Sequence, residues 1–280
     1  MQSKIKQTIT PFILNTQKYF KLFPSEMCLI TGAPRSGTSA LGKWLGTQPS
    51  VAVFPESRIL LSINSFIKEA FRFKNLERDK TKIAKLAQHL VYDYYLDSRV
   101  LLGKKLIVQK EPLEPIAFPS KNYKQFILNI KDLLPNIKII FLIRDPIATI
   151  WSMSSRTWGE SLTTPKEHRF SLEEYAENWS ACVETALHFS TDSNTYLLQF
   201  GRLVNDPENE SKRVFDFLNI HNGTPFQPRQ TKEIGFSKKE KEKILTSVQP
   251  QLDKLKLHGI TNLQDEKPRT LHDHDLRTKI

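Results

Sequence analysis

Cysteine is scarce in this 280-residue chain: Cys28 and Cys182 are the only two, which leaves no disulfide framework and no zinc-ligand spacing to read. A reducing, cytoplasmic setting is the expectation that follows. Long apolar runs are missing too. No stretch reaches the length that spans a bilayer. The opening MQSKIKQTITPFILNTQKYFKLF has Pro11 and Asn15 where a secretion signal needs an unbroken apolar core. It reads as a helix packed on the domain, with peripheral membrane contact as the other use for its few apolar residues. No repeat or linker divides the chain, so residues 1–260 are expected to form one α/β domain and 261–280 a polar tail.

Several catalytic arrangements are also absent. Ser36 and Ser39 have no histidine at readable spacing, which removes a serine-hydrolase reading. His89 and His168 are lone histidines, so neither is assigned as a base. The His272–Asp275 run falls in the polar tail, where a solvated segment outweighs a metal site, and no metal is expected. Trp44, Trp151 and Trp179 lie on helical faces and read as core.

What the chain does have is positive charge: 41 Lys and Arg against 30 Asp and Glu, a formal +11. This favours an anionic ligand, an acidic partner or a membrane surface without choosing among them; no motif points to nucleic acid. It also has short apolar runs alternating with helical patterns. MCLITG (27–32), VAVF (51–54), LIVQ (106–109), IKIIFLI (137–143) and TYLLQF (195–200) read as buried strands. Helices are expected over 38–46, after Arg58 to about Phe73, and over 81–96 and 123–134. Further ones are expected from Pro146 to about Arg156, and over 171–190, 207–218 and 237–257. That alternation predicts a three-layer α/β fold around a mostly parallel central sheet.

TGAPRSGTSAL, residues 31–41, follows the first strand and opens a helix. Strand, glycine loop and helix start make a phosphate cradle, because unpaired N–H groups and the positive end of the helix dipole meet there. Gly32 and Gly37 enclose four residues, as in a nucleotide hydrolase loop, but Thr38 stands where that motif needs lysine and Arg35 sits inside the loop. In open parallel sheets the ligand lies beyond the strands' carboxyl ends. Arg35, Lys110 and Arg144 are expected at that edge, where converging cations call for an anion. Asp145 before Pro146 reads as a helix cap, so a magnesium-holding carboxylate is missing along with the loop lysine. A metal-free transfer fits better than an ATP- and magnesium-dependent phosphotransferase, which is kept as the alternative together with a non-catalytic nucleotide-binding module.

On these residues the chain resembles the sulfotransferases that use 3′-phosphoadenosine 5′-phosphosulfate (PAPS), and most closely the protein-tyrosine sulfotransferases. PRSGTS from Pro34 is similar to the family loop around the 5′-phosphosulfate, which implies cofactor contacts from Arg35, Ser36, Gly37, Thr38 and Ser39. Glu56-Ser57-Arg58, twenty-one positions after Arg35, looks like the segment that carries the catalytic base, and implies that role for Glu56. Lys110-Glu111-Pro112 resembles the motif whose lysine stabilises the transition state, so Glu56, Lys110 and Arg35 are the implied catalytic set. Arg144, Ser152 and Arg156 match the 3′-phosphate motif and are expected on or near one helix start. EYAENWSACVETA and LLQFGRLVNDPE are family-like as well. Arg58 is expected to orient Glu56 or to bind the acceptor. The implied reaction moves a sulfonyl group to an acceptor hydroxyl and releases adenosine 3′,5′-bisphosphate. Phe200 departs from the pattern, standing where the family has a tyrosine near the nucleotide, and the family's later serine and lysine contacts have no secure match over 227–243.

Overall fold

A computed structural model describes residues 26–72, 80–96, 104–115, 119–158, 169–228, 234–261 and 263. The N-terminal segment, His168, the His272–Asp275 run and nearly all of the expected tail lie outside the described residues. Five strands form one sheet: β1 (Glu26–Gly32), β2 (Val51–Phe54), β3 (Leu106–Lys110), β4 (Lys138–Ile143) and β5 (Thr195–Gln199). Their order is β2-β3-β1-β4-β5, and every neighbouring pair is parallel.

The near-continuous apolar runs have the cause expected of a parallel sheet, which is covered on both faces. Successive side chains of β1 and β4 go to opposite cores. Leu29, Ile139, Phe141 and Ile143 join one, and Cys28, Ile30, Ile140 and Leu142 the other. The first core is covered by α2 (Ile59–Arg72), α3 (Lys80–Leu96), α4 (Tyr123–Leu133), α5 (Pro146–Ser154), α6 (Leu172–His188) and α9 (Lys238–Leu257). The second is covered by α1 (Thr38–Gly46), α7 (Phe200–Asn205) and α8 (Pro207–Leu218). The result is the three-layer α/β arrangement that the alternating pattern predicts.

Helix starts follow local chemistry. Asp145 caps α5, its Oδ1 accepting from the Ala148 N–H at 2.7 Å, and Pro146 occupies the first turn, where its missing N–H is harmless. Ser171 and Ser237 each form a reciprocal capping box with a glutamate three residues on, Glu174 and Glu240. Two expectations shift. Phe200 leaves the fifth strand and opens α7. The helix after Asp145 ends at Ser154, so Arg144 precedes it, Ser152 lies in its last turn and Arg156 falls beyond it. The three residues therefore do not share a helix start, because nine residues use up the helix before Arg156 is reached.

Candidate functional site

The register brings the carboxyl ends of the strands to one edge, with Phe54 opposite Gln109, Ile30 opposite Lys110 and Gly32 opposite Leu142. The chain leaves β1 at Gly32, with φ 136°, where an added Cβ would come within 2.4 Å of the Leu142 carbonyl oxygen. Only glycine suits that crossing. Arg35 then adopts a left-handed conformation (φ 67°), and the Ser36 N–H closes a tight turn on the Ala33 carbonyl at 3.2 Å. Gly37 caps α1 without a side-chain hydrogen bond, leaving the helix's first N–H groups facing the loop. Ser36 is fully buried and its hydroxyl has no partner among the described residues.

Guanidinium groups gather around it. Arg35 Nε donates to the Ser152 hydroxyl at 3.0 Å, and Arg144 Nη1 donates to the Arg35 carbonyl at 3.2 Å. Burial, followed by the positive charges of Arg156 and Arg144, holds the Arg35 guanidinium below its ordinary pKa, with Glu56 opposing. Arg156 thus joins the cluster from beyond the end of α5. Arg144 is fixed from two sides. Trp179 Nε1 donates to its carbonyl at 3.1 Å, and its guanidinium stacks over the Phe200 ring, 4.9 Å from the centroid. Phe200 also abuts the loop: a Cβ on Gly37 would lie 2.4 Å from its ring.

A second group lies on the β2–β3 side. Lys110 is almost buried, and its Nζ donates to the Ser39 hydroxyl at 3.0 Å and pairs with the Glu56 carboxylate. Glu56 is the more exposed partner, with 39% of its side chain accessible. Arg58 does not pair with Glu56. Its guanidinium lies 3.6 Å from Glu114, and its N–H donates to Glu111 Oε2 at 3.2 Å. Glu111 is buried, and its carboxyl is pushed up to about 7 by burial first and then by the charges of Glu56 and Glu114. Burial also raises the Glu114 carboxyl, with Glu56 adding to it.

The structure therefore brings Arg35, Ser36, Gly37, Thr38, Ser39, Glu56, Lys110, Arg144, Ser152 and Arg156 to one edge of the sheet, with Arg58 two residues after Glu56 in the chain. Sequence reasoning passed over Gln109, Glu114 and Trp179 as members of this neighbourhood, and placed Glu111 at this edge without a role of its own. The one available signal was Gln109, an amide inside an otherwise apolar strand. His89 sits exposed on α3. Among the described residues, no group of three or more His, Cys, Asp or Glu side chains could hold a metal ion, and no helix is long and apolar enough to cross a membrane.

The chain is similar to known proteins. The chain is 27% identical over 221 residues to protein-tyrosine sulfotransferase 1 of Danio rerio, covering 75% of this chain and 56% of that protein. It is 24% identical over 207 residues to protein-tyrosine sulfotransferase A of Caenorhabditis elegans, covering 70% and 50%. The chain thus spans about half the length of the curated relatives it matches. Among solved structures, a sulfotransferase from Alicyclobacillus acidocaldarius superposes with a TM-score of 0.54 at 16% identity, over 84% of this chain and 96% of that one, a likeness of fold. The model of the family described as "Sulfotransferase family" matches residues 28–223, more than two thirds of the length, so the chain belongs to the sulfotransferase family.

Proposed function

We propose that this chain transfers the sulfonyl group of PAPS to an acceptor hydroxyl. The observation that carries the reading is the meeting of Arg35, Arg144 and Arg156 around a loop whose buried Ser36 hydroxyl has no partner among the described residues. Arg35, whose proton affinity is lowered by burial first and then by the charges of Arg156 and Arg144, is stabilised by a multiply charged anion. The buried Ser36 hydroxyl and the uncapped start of α1 suit the phosphosulfate end. Arg144, Ser152 and Arg156 suit the 3′-phosphate, which ATP lacks.

On this reading Glu56 takes the acceptor's proton as the acceptor oxygen forms its bond to sulfur. The bond between sulfur and the bridging oxygen of the 5′-phosphate breaks, and its electrons leave with adenosine 3′,5′-bisphosphate. Lys110, bridging Glu56 and Ser39, is placed to meet negative charge on the transferring group, and Arg35 does so from the loop. Arg58, held by Glu111 and Glu114, faces the acceptor side. The acceptor is a peptide tyrosine, sugar, lipid or small molecule bearing a hydroxyl; the tyrosine-protein relatives put the first of these at the head of the list.

Thermal stabilisation tests the reading. Adenosine 3′,5′-bisphosphate in EDTA should stabilise the chain by about 2.7 kcal/mol at a hundred times its Kd. Stabilisation by ATP with magnesium, and none by the bisphosphate, would instead support a phosphotransferase. Binding without sulfonyl transfer to any acceptor class would support a non-catalytic module.

A further inference from the structure

We infer that Gln109 and Glu111 are positioning residues for Glu56, and that with Lys110 between them they form a clamp on the segment from Pro55 to Arg58. The inference rests on the proposed role of Glu56 as base.

Three successive side chains at the end of β3 hold four successive residues after β2. Gln109 is fully buried. Its Nε2 donates to the Pro55 carbonyl at 3.0 Å and to the Lys110 carbonyl at 3.1 Å. Its Oε1 accepts from the Tyr95 hydroxyl at 2.8 Å and the Ser57 hydroxyl at 3.3 Å. Both donors and both acceptor sites of the amide are thus used, and two carbonyls on one end with two hydroxyls on the other fix which way it points. Lys110 takes Glu56, and Glu111 takes the Arg58 N–H.

This arrangement answers a local difficulty. Phe54 opposite Gln109 is the last paired position of β2 in the sheet. The segment that follows has left the ladder, and Glu56 is too exposed for packing to hold it. Arg58 is left-handed at φ 55°, a conformation that a non-glycine residue keeps only where its surroundings impose it. Gln109 grips the residues on either side of Glu56, and Tyr95, buried on α3, backs the amide from the neighbouring layer. A base displaced by about 1 Å loses on the order of 10²-fold in rate. Gln109 and Glu111 therefore act on turnover through geometry, while Lys110, the middle member of the clamp, also meets the transferring group on the proposed reading.

Hydrogen exchange, read by mass spectrometry over a peptide spanning residues 54–61, tests the clamp without any acceptor. Gln109→Leu should speed exchange there by about tenfold, roughly the worth of a lost hydrogen bond. Peptides from β1 and β4 and the Kd for adenosine 3′,5′-bisphosphate should stay at wild-type values. Unchanged exchange over 54–61, or equal acceleration across the sheet, overturns the inference. Should Gln109→Leu fail to fold, Ser57→Ala and Tyr95→Phe each delete one hydroxyl of the network and should show the same local effect, smaller; no local change in both is equally decisive. In sulfonyl transfer, Gln109→Leu should lower kcat by about 10–10²-fold with KM for PAPS unchanged, and should add nothing in the Glu56→Gln background. An additive loss in the double variant would mean that Gln109 acts elsewhere. Wild-type turnover by Glu56→Gln alone would overturn the base assignment while the exchange result still reported on the clamp.

Discussion

Arg35 donates from Nε to the Ser152 hydroxyl at 3.0 Å, tying the loop after β1 to the last turn of α5 across 117 positions of sequence. Arg144 meets the same loop from the opposite end of that helix, through the Arg35 carbonyl. One short helix therefore contributes to the cation cluster from both ends. Arg144→Ala should weaken binding of adenosine 3′,5′-bisphosphate by about 1.5–3 kcal/mol, the worth of a charge-assisted contact, and Ser152→Ala by about 0.5–1.5 kcal/mol. Titration calorimetry reads both, and an unchanged Kd for Arg144→Ala would remove it from the 3′-phosphate.

Glu56→Gln separates chemistry from binding. Turnover should fall by about 10²–10⁴-fold, as expected for loss of a general base, with the bisphosphate Kd close to wild type. Single-turnover release of labelled bisphosphate from PAPS is the measurement, and normal turnover would take Glu56 out of the mechanism.

Gly37 answers to two constraints at once, a φ of 106° and the Phe200 ring where a Cβ would go. Gly37→Ala should reduce nucleotide affinity by about 1–3 kcal/mol through strain in the loop. Adding Phe200→Leu should restore only part of it, since the smaller side chain relieves the clash and leaves the backbone angle. Full recovery in the double variant would show that the ring alone demands glycine.

Glu111 predicts a pH dependence of folding. Its carboxyl is raised from 4.5 to about 7 in the folded chain, by burial first and then by Glu56 and Glu114, with the Arg58 N–H and charge opposing. Between those values the folded state keeps a proton that the unfolded state has released. The stability it contributes is full below pH 4.5 and is lost as pH rises through 7. Glu111→Gln should remove this slope, so its stability relative to wild type should rise between pH 5 and pH 8 by on the order of 2–3 kcal/mol. Urea denaturation at both pH values measures it, and a constant difference would contradict the account.

The cradle was legible in the sequence because its signals are local: an apolar run, two glycines enclosing four residues and a helix start. The cap at Asp145 was legible for the same reason. Contacts between distant residues were not. Phe200 ends the apolar run TYLLQF and so reads as strand, yet it opens α7 and turns its ring onto a glycine 163 positions earlier. Adjacency suggested that Arg58 would serve Glu56, whereas Lys110 takes that carboxylate and Arg58 turns to Glu114. Gln109 stands out as an amide in an apolar run, but its contacts could not be read from that, because its four partners come from three separate segments.

The strand order has a consequence for how such a protein can change. β1 runs down the middle, with β2 and β3 on one flank and β4 and β5 on the other. Glu56, Lys110 and Glu111 hang from the first flank, and Arg144, Ser152 and Phe200 follow the strands of the second. The two flanks meet at the loop after β1, where Ser39 touches Lys110 and Arg35 touches Ser152. On the proposed reading the acceptor half and the donor half would be separable inheritances: one flank could be rewritten for a new hydroxyl while the other went on reading the same nucleotide.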